Sequence, residues 1–465
     1  MNTSSSSLLT EVQAQQNAWI QEGDLPLAQR IQYLNTWLDL LHSHEKELLD
    51  ALQSDLGKSP MGAYTTELGM LKAEIRYFLK HLSTWTKPQK VRLPWIHFPA
   101  SGYRVPQSLG QALVISPWNY PLLLALQPTI SALGAGCRVV LKPSEHAPAT
   151  SAWLEKVAKQ FPSNHFLVAT GDQVVAQQLL QHPFQHIFFT GSPRVGMEVY
   201  KAAANHGASV TLELGGKNPC IIDHTQHMEV AVRRILWGKT LNAGQTCLAP
   251  DYLVLTEKDW PQFLSLWEQQ VKAMYGEKPL ENEEWGRIIH AGHYQRLKNY
   301  LLENEVLSGG DFHDETLKIG PTLLRFNAPH PPEGPEEIFG PVLPVIFCND
   351  LKTWIKDQAR KPGQEPLAAY LFSEDRTLME LFSRQFRSGS SAWNETIMQV
   401  VGHQLPFGGV GRSGMGHYHG KAGFDTFTHY KSELRKHPAI DLPSRYPPFG
   451  PKALGRMKKL MDWFL

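Results

Sequence analysis

The chain has 465 residues, and its 45 Lys and Arg are balanced by 44 Asp and Glu for a formal net charge of +1. That length exceeds what one hydrophobic core supports, so two or three domains are expected. The near-neutral charge leaves no basic footprint for nucleic acid.

The amino terminus, Met1 to Leu9, has a serine run and no basic region before an apolar core, so it does not read as a signal peptide. Residues 8–83 read as helical, with Leu27, Ile31, Leu34, Leu38 and Leu41 forming one apolar stripe. From Lys87 to Val105, Pro, aromatic and β-branched residues mix as they do in extended arms or hairpin strands. No charge occurs from Val105 to Cys137, but Pro106, Pro117, Pro121 and Pro128 break that run. It reads as a buried strand, a turn and a buried helix rather than a membrane span.

Apolar runs then alternate with helical ones. Ala112–Ser116 precedes Leu122–Leu133, Arg138–Leu141 precedes Ser151–Gln160, and His186–Thr190 precedes Val195–Ala204. This is the pattern of parallel strands covered by helices. A second alternating block spans about 218–390, with candidate strands Asp251–Leu255, Val342–Phe347 and Leu367–Phe372. A glycine-rich stretch, Gly402 to Gly423, and a tail follow. In the tail, Leu454, Met457, Leu460, Met461 and Phe464 recur at helical spacing among Arg456, Lys458 and Lys459. That tail is a candidate for peripheral contact with an anionic membrane.

The four cysteines, Cys137, Cys220, Cys247 and Cys348, lie far apart. Free thiols in a reducing compartment are expected, hence a cytoplasmic protein. The twenty histidines are scattered, with no HExxH or paired CxxC spacing, so no metal is expected.

Cys247 stands apart from the other cysteines. In Gly244-Gln245-Thr246-Cys247-Leu248-Ala249-Pro250 it has a glycine three positions before and a proline three after, as on a tight loop where backbone amides approach a ligand. Most cysteines are small buried hydrophobes, and the other three keep that reading. Glu213 interrupts the apolar run Val210 to Leu214, where desolvation would raise its pKa into the range of a general base. The following Gly215-Gly216 permits close backbone approach to a ligand.

Three further segments end strands. Ile115-Ser116-Pro117-Trp118-Asn119-Tyr120-Pro121 carries an uncharged amide able to donate to an oxyanion; alone it also reads as a turn asparagine. In Phe189-Thr190-Gly191-Ser192-Pro193, Ser192 suits a helix N-cap and Pro193 the first helical position, giving a helix N-terminus that can face a pyrophosphate. In Lys142-Pro143-Ser144-Glu145 a carboxylate follows a strand end, as carboxylates that bind ribose hydroxyls do.

Together with Glu337-Ile338-Phe339-Gly340-Pro341 and Pro406-Phe407-Gly408-Gly409, these segments resemble the aldehyde dehydrogenase superfamily, in its order, from about Leu27 to Tyr430. Gly244–Tyr252 and Leu405–His429 are most similar to the class 3 branch, which includes fatty and aromatic aldehyde dehydrogenases. The resemblance implies an α/β fold: a Rossmann-like NAD-binding domain (1–86 and 106–213), an α/β catalytic domain (214–400) and a small β oligomerisation arm (87–105 and 401–435), before the tail (436–465). It also implies a homodimer.

By the same resemblance, Cys247 is the nucleophile, Glu213 the general base, and Asn119 with the Cys247 amide the oxyanion hole. Lys142, Ser144 and Glu145 hold the adenosine ribose and Ser192 the pyrophosphate. Trp118, Gly191 and Gly215 line the cofactor cleft, and Glu337 and Phe339 position the nicotinamide ribose and ring. Tyr120 and Phe407 line the substrate funnel. Apart from the resemblance, the aromatic side chains of Trp237 and Trp393 suit an apolar entrance and equally a core. Gly191-Ser192-Pro193 departs from the Gly-Asn-Thr common in class 3.

The implied activity is NAD-dependent oxidation of medium or long aliphatic, aromatic or isoprenoid aldehydes to acids through a thiohemiacetal and a thioester, with NADP as the second cofactor candidate. Rival readings are a coenzyme A-acylating or semialdehyde dehydrogenase on the same fold, an inactive structural relative, and a cofactor-independent thiol hydrolase. The first needs no water-activating Glu213. The second would usually have lost Cys247, Glu213 or Asn119, and the third would leave the cofactor segments without a purpose.

Overall fold

The computed structural model describes residues 3–94, 97–326, 337–359, 361, 363–441 and 445–464. The chain resolves into two compact units, residues 1–86 with 107–429, and residues 87–106 with 430–465.

Among the described residues, the larger unit holds two large sheets and a two-stranded ribbon, Phe312–His313 with Lys318–Ile319. The first has six strands in the order Gly414–Met415, Ser209–Leu214, His186–Gly191, Gln111–Ile115, Arg138–Lys142 and Phe166–Val168. Five run parallel, and Gly414–Met415 joins antiparallel, pairing Gly414 with Glu213. Numbered along the chain, the parallel strands lie 3-2-1-4-5, the doubly wound order. Its switch point falls between Gln111–Ile115 and His186–Gly191, where a crevice opens beyond the carboxyl ends of the strands. Gln111–Ile115 and Arg138–Lys142 are buried at every position, so their inner residues, Ala112 to Ile115 and Val139 to Leu141, read as unbroken apolar runs instead of alternating ones.

The second sheet has seven strands, ordered Val306–Ser308, Thr322–Arg325, Val342–Phe347, Tyr252–Leu255, Pro219–Ile222, Ala368–Phe372 and Ser390–Trp393. Only Val306–Ser308 runs antiparallel to its neighbour. The chain passes from the carboxyl end of Ser209–Leu214 straight to the amino end of Pro219–Ile222. The four-residue turn between them, which holds Gly215 and Gly216, therefore lies where the two sheets meet.

Helix Leu27–Ser43 packs with Glu45–Leu56 and Gly69–Trp85; of its apolar stripe Leu34 and Leu41 are completely buried, and Leu27, Ile31 and Leu38 partly so. Between Pro60–Ala63 and Gly69–Trp85 the helix widens into a π-helical turn, Tyr64–Leu68, which carries the buried Glu67. Such turns are rare and concentrate near functional sites.

The smaller unit is built on a three-stranded sheet of Gln89–Val91, Ser101–Ser108 and Thr428–Arg435. The tail forms the helix Ala453–Phe464. Leu454, Met457 and Met461 of its apolar stripe are 69%, 43% and 47% exposed, while the Phe464 side chain lies outside the described residues.

Candidate active site

Cys247 lies on a loop whose entry is shaped by Gly244. That residue has φ +74°, and a Cβ there would collide with the backbone at Gly340 and Pro341. Glycine is thus required twice over, by conformation and by close approach. Behind the loop, Asn218 Nδ2 donates to the Cys247 and Ala249 carbonyls at 2.7 and 3.0 Å. Its Oδ1 accepts from Ala368 N at 2.9 Å.

Two cavities converge on this loop. One, of about 400 Å³, is lined by Trp118, Asn119, Gly191, Ser192, Glu213 and Gly215, and also by Cys247, Glu337 and Phe339. It lies at the switch point of the first sheet. The other, of about 360 Å³, is lined mainly by apolar groups, including Tyr120, Leu124, Trp237, Ile397, Val401 and Phe407. Thr190, Glu213, Leu214 and Cys247 line both. Trp393 lies outside the lining: it occupies the edge strand Ser390–Trp393, whose burial alternates, and is 46% exposed. Lys142, Ser144 and Glu145 line neither cavity; they lie at the end of the strand next to Gln111–Ile115.

Glu213 sits in the strand Ser209–Leu214, paired with Thr190 and Gly414. It is 2% exposed, and among the described residues neither carboxylate oxygen has a hydrogen-bond partner. Burial alone drives its pKa well above the ordinary glutamate range. Burial also pushes the Cys247 thiol well up, and the Glu337 and Glu213 carboxylates add to the shift. The amides of Cys247 and Leu248 directed at the sulfur pull the other way. An unpartnered carboxylate and a thiol on one cavity wall can exchange a proton with each other or with an intervening water.

Asn119 Nδ2 donates to Gln245 O at 3.1 Å, and Asn242 Nδ2 donates to Asn119 O at 2.8 Å. Since an amide carries two N–H groups, one remains for the cavity. Sequence reading missed what lies beneath Asn119. Lys58, buried, donates to Asn119 O at 3.1 Å and to Glu67 Oε1 at 2.5 Å, and lies over the Tyr120 ring at 4.1 Å. Glu67 Oε2 accepts from Leu122 N and Leu123 N at 2.9 and 3.0 Å. The Tyr120 hydroxyl bonds Thr246 Oγ1 at 2.5 Å, tying this loop to the cysteine loop.

The Glu337–Phe339 segment is held just as firmly. Ile338 N donates to Asp251 Oδ1 at 2.8 Å, and Arg296 donates to Ile338 O at 2.5 Å. His293 Nε2 meets Phe339 O at 2.7 Å. Phe339, at φ +53°, meets the Trp118 ring edge-on with centroids 5.4 Å apart. Burial raises the Glu337 pKa well above the usual range, with the Asp251 carboxylate adding to it. Lys239, buried behind the loop, donates to Pro250 O at 2.8 Å, and burial lowers its pKa to about 8. In sequence these were unmarked: Arg296 and Lys239 look like ordinary charges on amphipathic helices.

The first cavity suits a dinucleotide. Ser192 caps the helix Pro193–His206, its Oγ accepting from Val195 N at 3.4 Å and its carbonyl from Gly196 N at 2.9 Å; Pro193 has no N–H, so Arg194 N is the donor that first turn leaves for a ligand. A Cβ at Gly215 would meet the Glu337 carboxylate, and one at Gly191 the Phe189 ring, so a side chain at either position would have to displace a group of the cavity wall. Thr190 Oγ1 is buried without a hydrogen-bond partner among the described residues. On the neighbouring strand end Lys142 Nζ pairs with Glu145 Oε2 at 2.7 Å. Burial works to raise the Glu145 pKa, but the Lys142 hydrogen bond and charge hold it below the usual value. The Ser144 hydroxyl is used locally, accepting from His146 N at 3.2 Å. Among the described residues no group of three or more His, Cys, Asp or Glu could hold a metal ion.

The sequence profile of the aldehyde dehydrogenase family matches residues 6–432. Aldehyde dehydrogenase family 3 member H1 of Arabidopsis thaliana is 39% identical over 439 residues, 93% of this chain and 90% of that one. The 4,4'-diapolycopene-4,4'-dial dehydrogenase of Cytobacillus firmus is 40% identical over 428 residues, 92% of this chain and 94% of that one. The solved structure of Staphylococcus aureus AldH in a substrate-bound state has a TM-score of 0.93 at 35% identity, covering 100% of both chains.

Proposed function

The chain belongs to the aldehyde dehydrogenase family, in its class 3-like branch, and from that premise we propose how its own residues carry the oxidation of aldehydes to acids. Cys247 is the nucleophile, Glu213 the general base, and Asn119 with the Cys247 amide the oxyanion hole. The observation that carries this reading is that Cys247 and Glu213 line both cavities at once.

The aldehyde enters by the apolar cavity, and the nicotinamide dinucleotide occupies the other. When bound, that cofactor accepts hydride from the aldehyde carbon. Ser192 and the helix N-terminus behind it hold the pyrophosphate, and Lys142, Ser144 and Glu145 the adenosine ribose. Glu337 takes the nicotinamide ribose, while Trp118, Gly191, Gly215 and Phe339 wall the cleft. An ionised Glu145 accepts from a ribose 2′-hydroxyl and repels a 2′-phosphate, so NAD is preferred to NADP.

Ionised Glu213 takes the Cys247 thiol proton and passes it to solvent, the sulfur attacks the carbonyl carbon, and the charge that develops on oxygen is met by Asn119 and the Cys247 amide. Removing one such donor typically costs about 2.7–4 kcal/mol of transition-state stabilisation. Loss of hydride leaves a thioester on Cys247. Glu213, ionised, then takes a proton from water, whose oxygen attacks the thioester and releases the acid. A dedicated base makes water the acyl acceptor, and coenzyme A is not needed.

The apolar lining supports medium or long aliphatic, aromatic or isoprenoid aldehydes. Each methylene buried there contributes about 0.8 kcal/mol, roughly fourfold in kcat/KM. The exposed apolar face of the helix Ala453–Phe464, flanked by Lys452, Arg456, Lys458 and Lys459, lies on an anionic bilayer surface.

Absorbance of the reduced nicotinamide tests the catalytic reading, using aldehydes of rising chain length, NAD or NADP, and arms with and without coenzyme A. Reduction with NAD that rises with chain length, needs no coenzyme A and vanishes in Cys247→Ala is the expected outcome. Dependence on coenzyme A, or activity retained in Cys247→Ala, contradicts it.

A further inference from the structure

Tyr370 is fully buried in the strand Ala368–Phe372, between the parallel strands Pro219–Ile222 and Ser390–Trp393. Its hydroxyl donates to Leu248 O at 2.7 Å. The same oxygen accepts from Ile397 N and from Gln399 Nε2, each at 3.3 Å. A phenol offers one donor and two acceptor positions, so this hydroxyl is fully used. It joins the loop that carries Cys247 to the segment Ile397–Val401, which walls the apolar cavity.

On the cysteine side, Asn218 and Tyr370 between them hold three successive carbonyls, those of Cys247, Leu248 and Ala249. In a trans peptide the carbonyl and the following N–H point opposite ways. With the Cys247 carbonyl turned onto Asn218, the Leu248 N–H is turned toward the cavity side, where it and the Cys247 amide are directed at the sulfur. The Tyr370 bond pins the next peptide plane and so resists rotation of the first. On the wall side, Ile397 has φ +63°, a conformation that a β-branched residue keeps only under restraint, and its N–H ends on Tyr370.

We infer that Tyr370 is a positioning residue that ties the reactivity of Cys247 to the shape of the aldehyde-binding wall. One hydrogen-bond node then sets both how readily the sulfur reacts and how strongly the enzyme favours long chains. The inference deepens the proposed function and rests on the reading of Cys247 as nucleophile.

Tyr370→Phe keeps the ring and removes the node, whereas Gln399→Leu removes only one wall-side arm. Iodoacetamide labelling of Cys247, followed by peptide mass across a pH series, reads the sulfur. The ratio of kcat/KM for decanal over butanal reads the wall, and calorimetry of NAD binding verifies folding. Tyr370→Phe should slow labelling near neutral pH roughly 3- to 10-fold, as loss of one hydrogen bond does, and shrink the decanal preference. Gln399→Leu should shrink that preference and label as wild type does. A folded Tyr370→Phe with wild-type labelling and wild-type preference overturns the inference. Where Tyr370→Phe does not fold, an unchanged preference in Gln399→Leu overturns it. If instead the wild-type enzyme stays fully active once Cys247 is stoichiometrically labelled, the nucleophile reading fails, not the Tyr370 step alone.

Discussion

Glu213 has a cost that packing does not offset. A buried carboxylate with both oxygens unpartnered opposes folding once it ionises, and groups so perturbed in clefts are candidates for chemistry. Its folded pKa is raised, so the protonated form suits the fold. Whatever stability it contributes is complete below the unfolded pKa and lost as pH rises through the folded one. Thioester hydrolysis needs the opposite form, so its rate should climb with pH through a midpoint above the ordinary glutamate range. Glu213→Gln should flatten that climb and slow hydrolysis by about 10²–10⁴-fold. It should also raise Tm above neutral pH while leaving Tm near pH 4 almost unchanged. Single-turnover rates and thermal melts across pH check both, and an unaltered pH–rate limb in the variant would move the base elsewhere. Glu213 was legible because it breaks an apolar run. Lys58, Glu67 and Tyr370 were not: each reaches its partner across a long stretch of chain, and nothing in the neighbouring residues marks it.

At the scale of elements, the alternating strands and helices were legible because parallel strands, buried on both faces, read as short apolar runs between amphipathic helices. The cap at Ser192 followed from local chemistry. The two-residue strand Gly414–Met415 left no pattern, since it exists only by pairing with Leu212 and Glu213. The π-helical turn Tyr64–Leu68 was equally silent, although it carries Glu67 to the amino end of Leu123–Ala135. Trp393 looked like a cavity wall by composition, but only its strand's place at the sheet edge decides which way it faces. The helix Ala453–Phe464 was legible in full. Its basic residues each add about 1 kcal/mol near an anionic surface, an attraction that salt screens. The whole chain should therefore sediment with anionic vesicles at low salt and not with neutral ones. A chain lacking residues 451–465 should remain in the supernatant. No binding at low salt, or equal binding without the tail, refutes the bilayer contact.

For the molecule as a whole, function follows from how two sheets are joined. The doubly wound order opens a crevice at one switch point, and the chain leaves that sheet beside it to begin the second. The cysteine loop precedes the second sheet's strand Tyr252–Leu255, so the amino edge of one sheet meets the carboxyl edge of the other. The two cavities then share Cys247 and Glu213. The most direct test is intact-protein mass followed by peptide mapping, with Glu213→Gln mixed with NAD and decanal and quenched in acid. An acyl adduct of one decanoyl group per chain, confined to the peptide bearing Cys247 and absent without NAD, is the predicted result. No adduct despite NADH formation, or an adduct on another residue, would contradict the account.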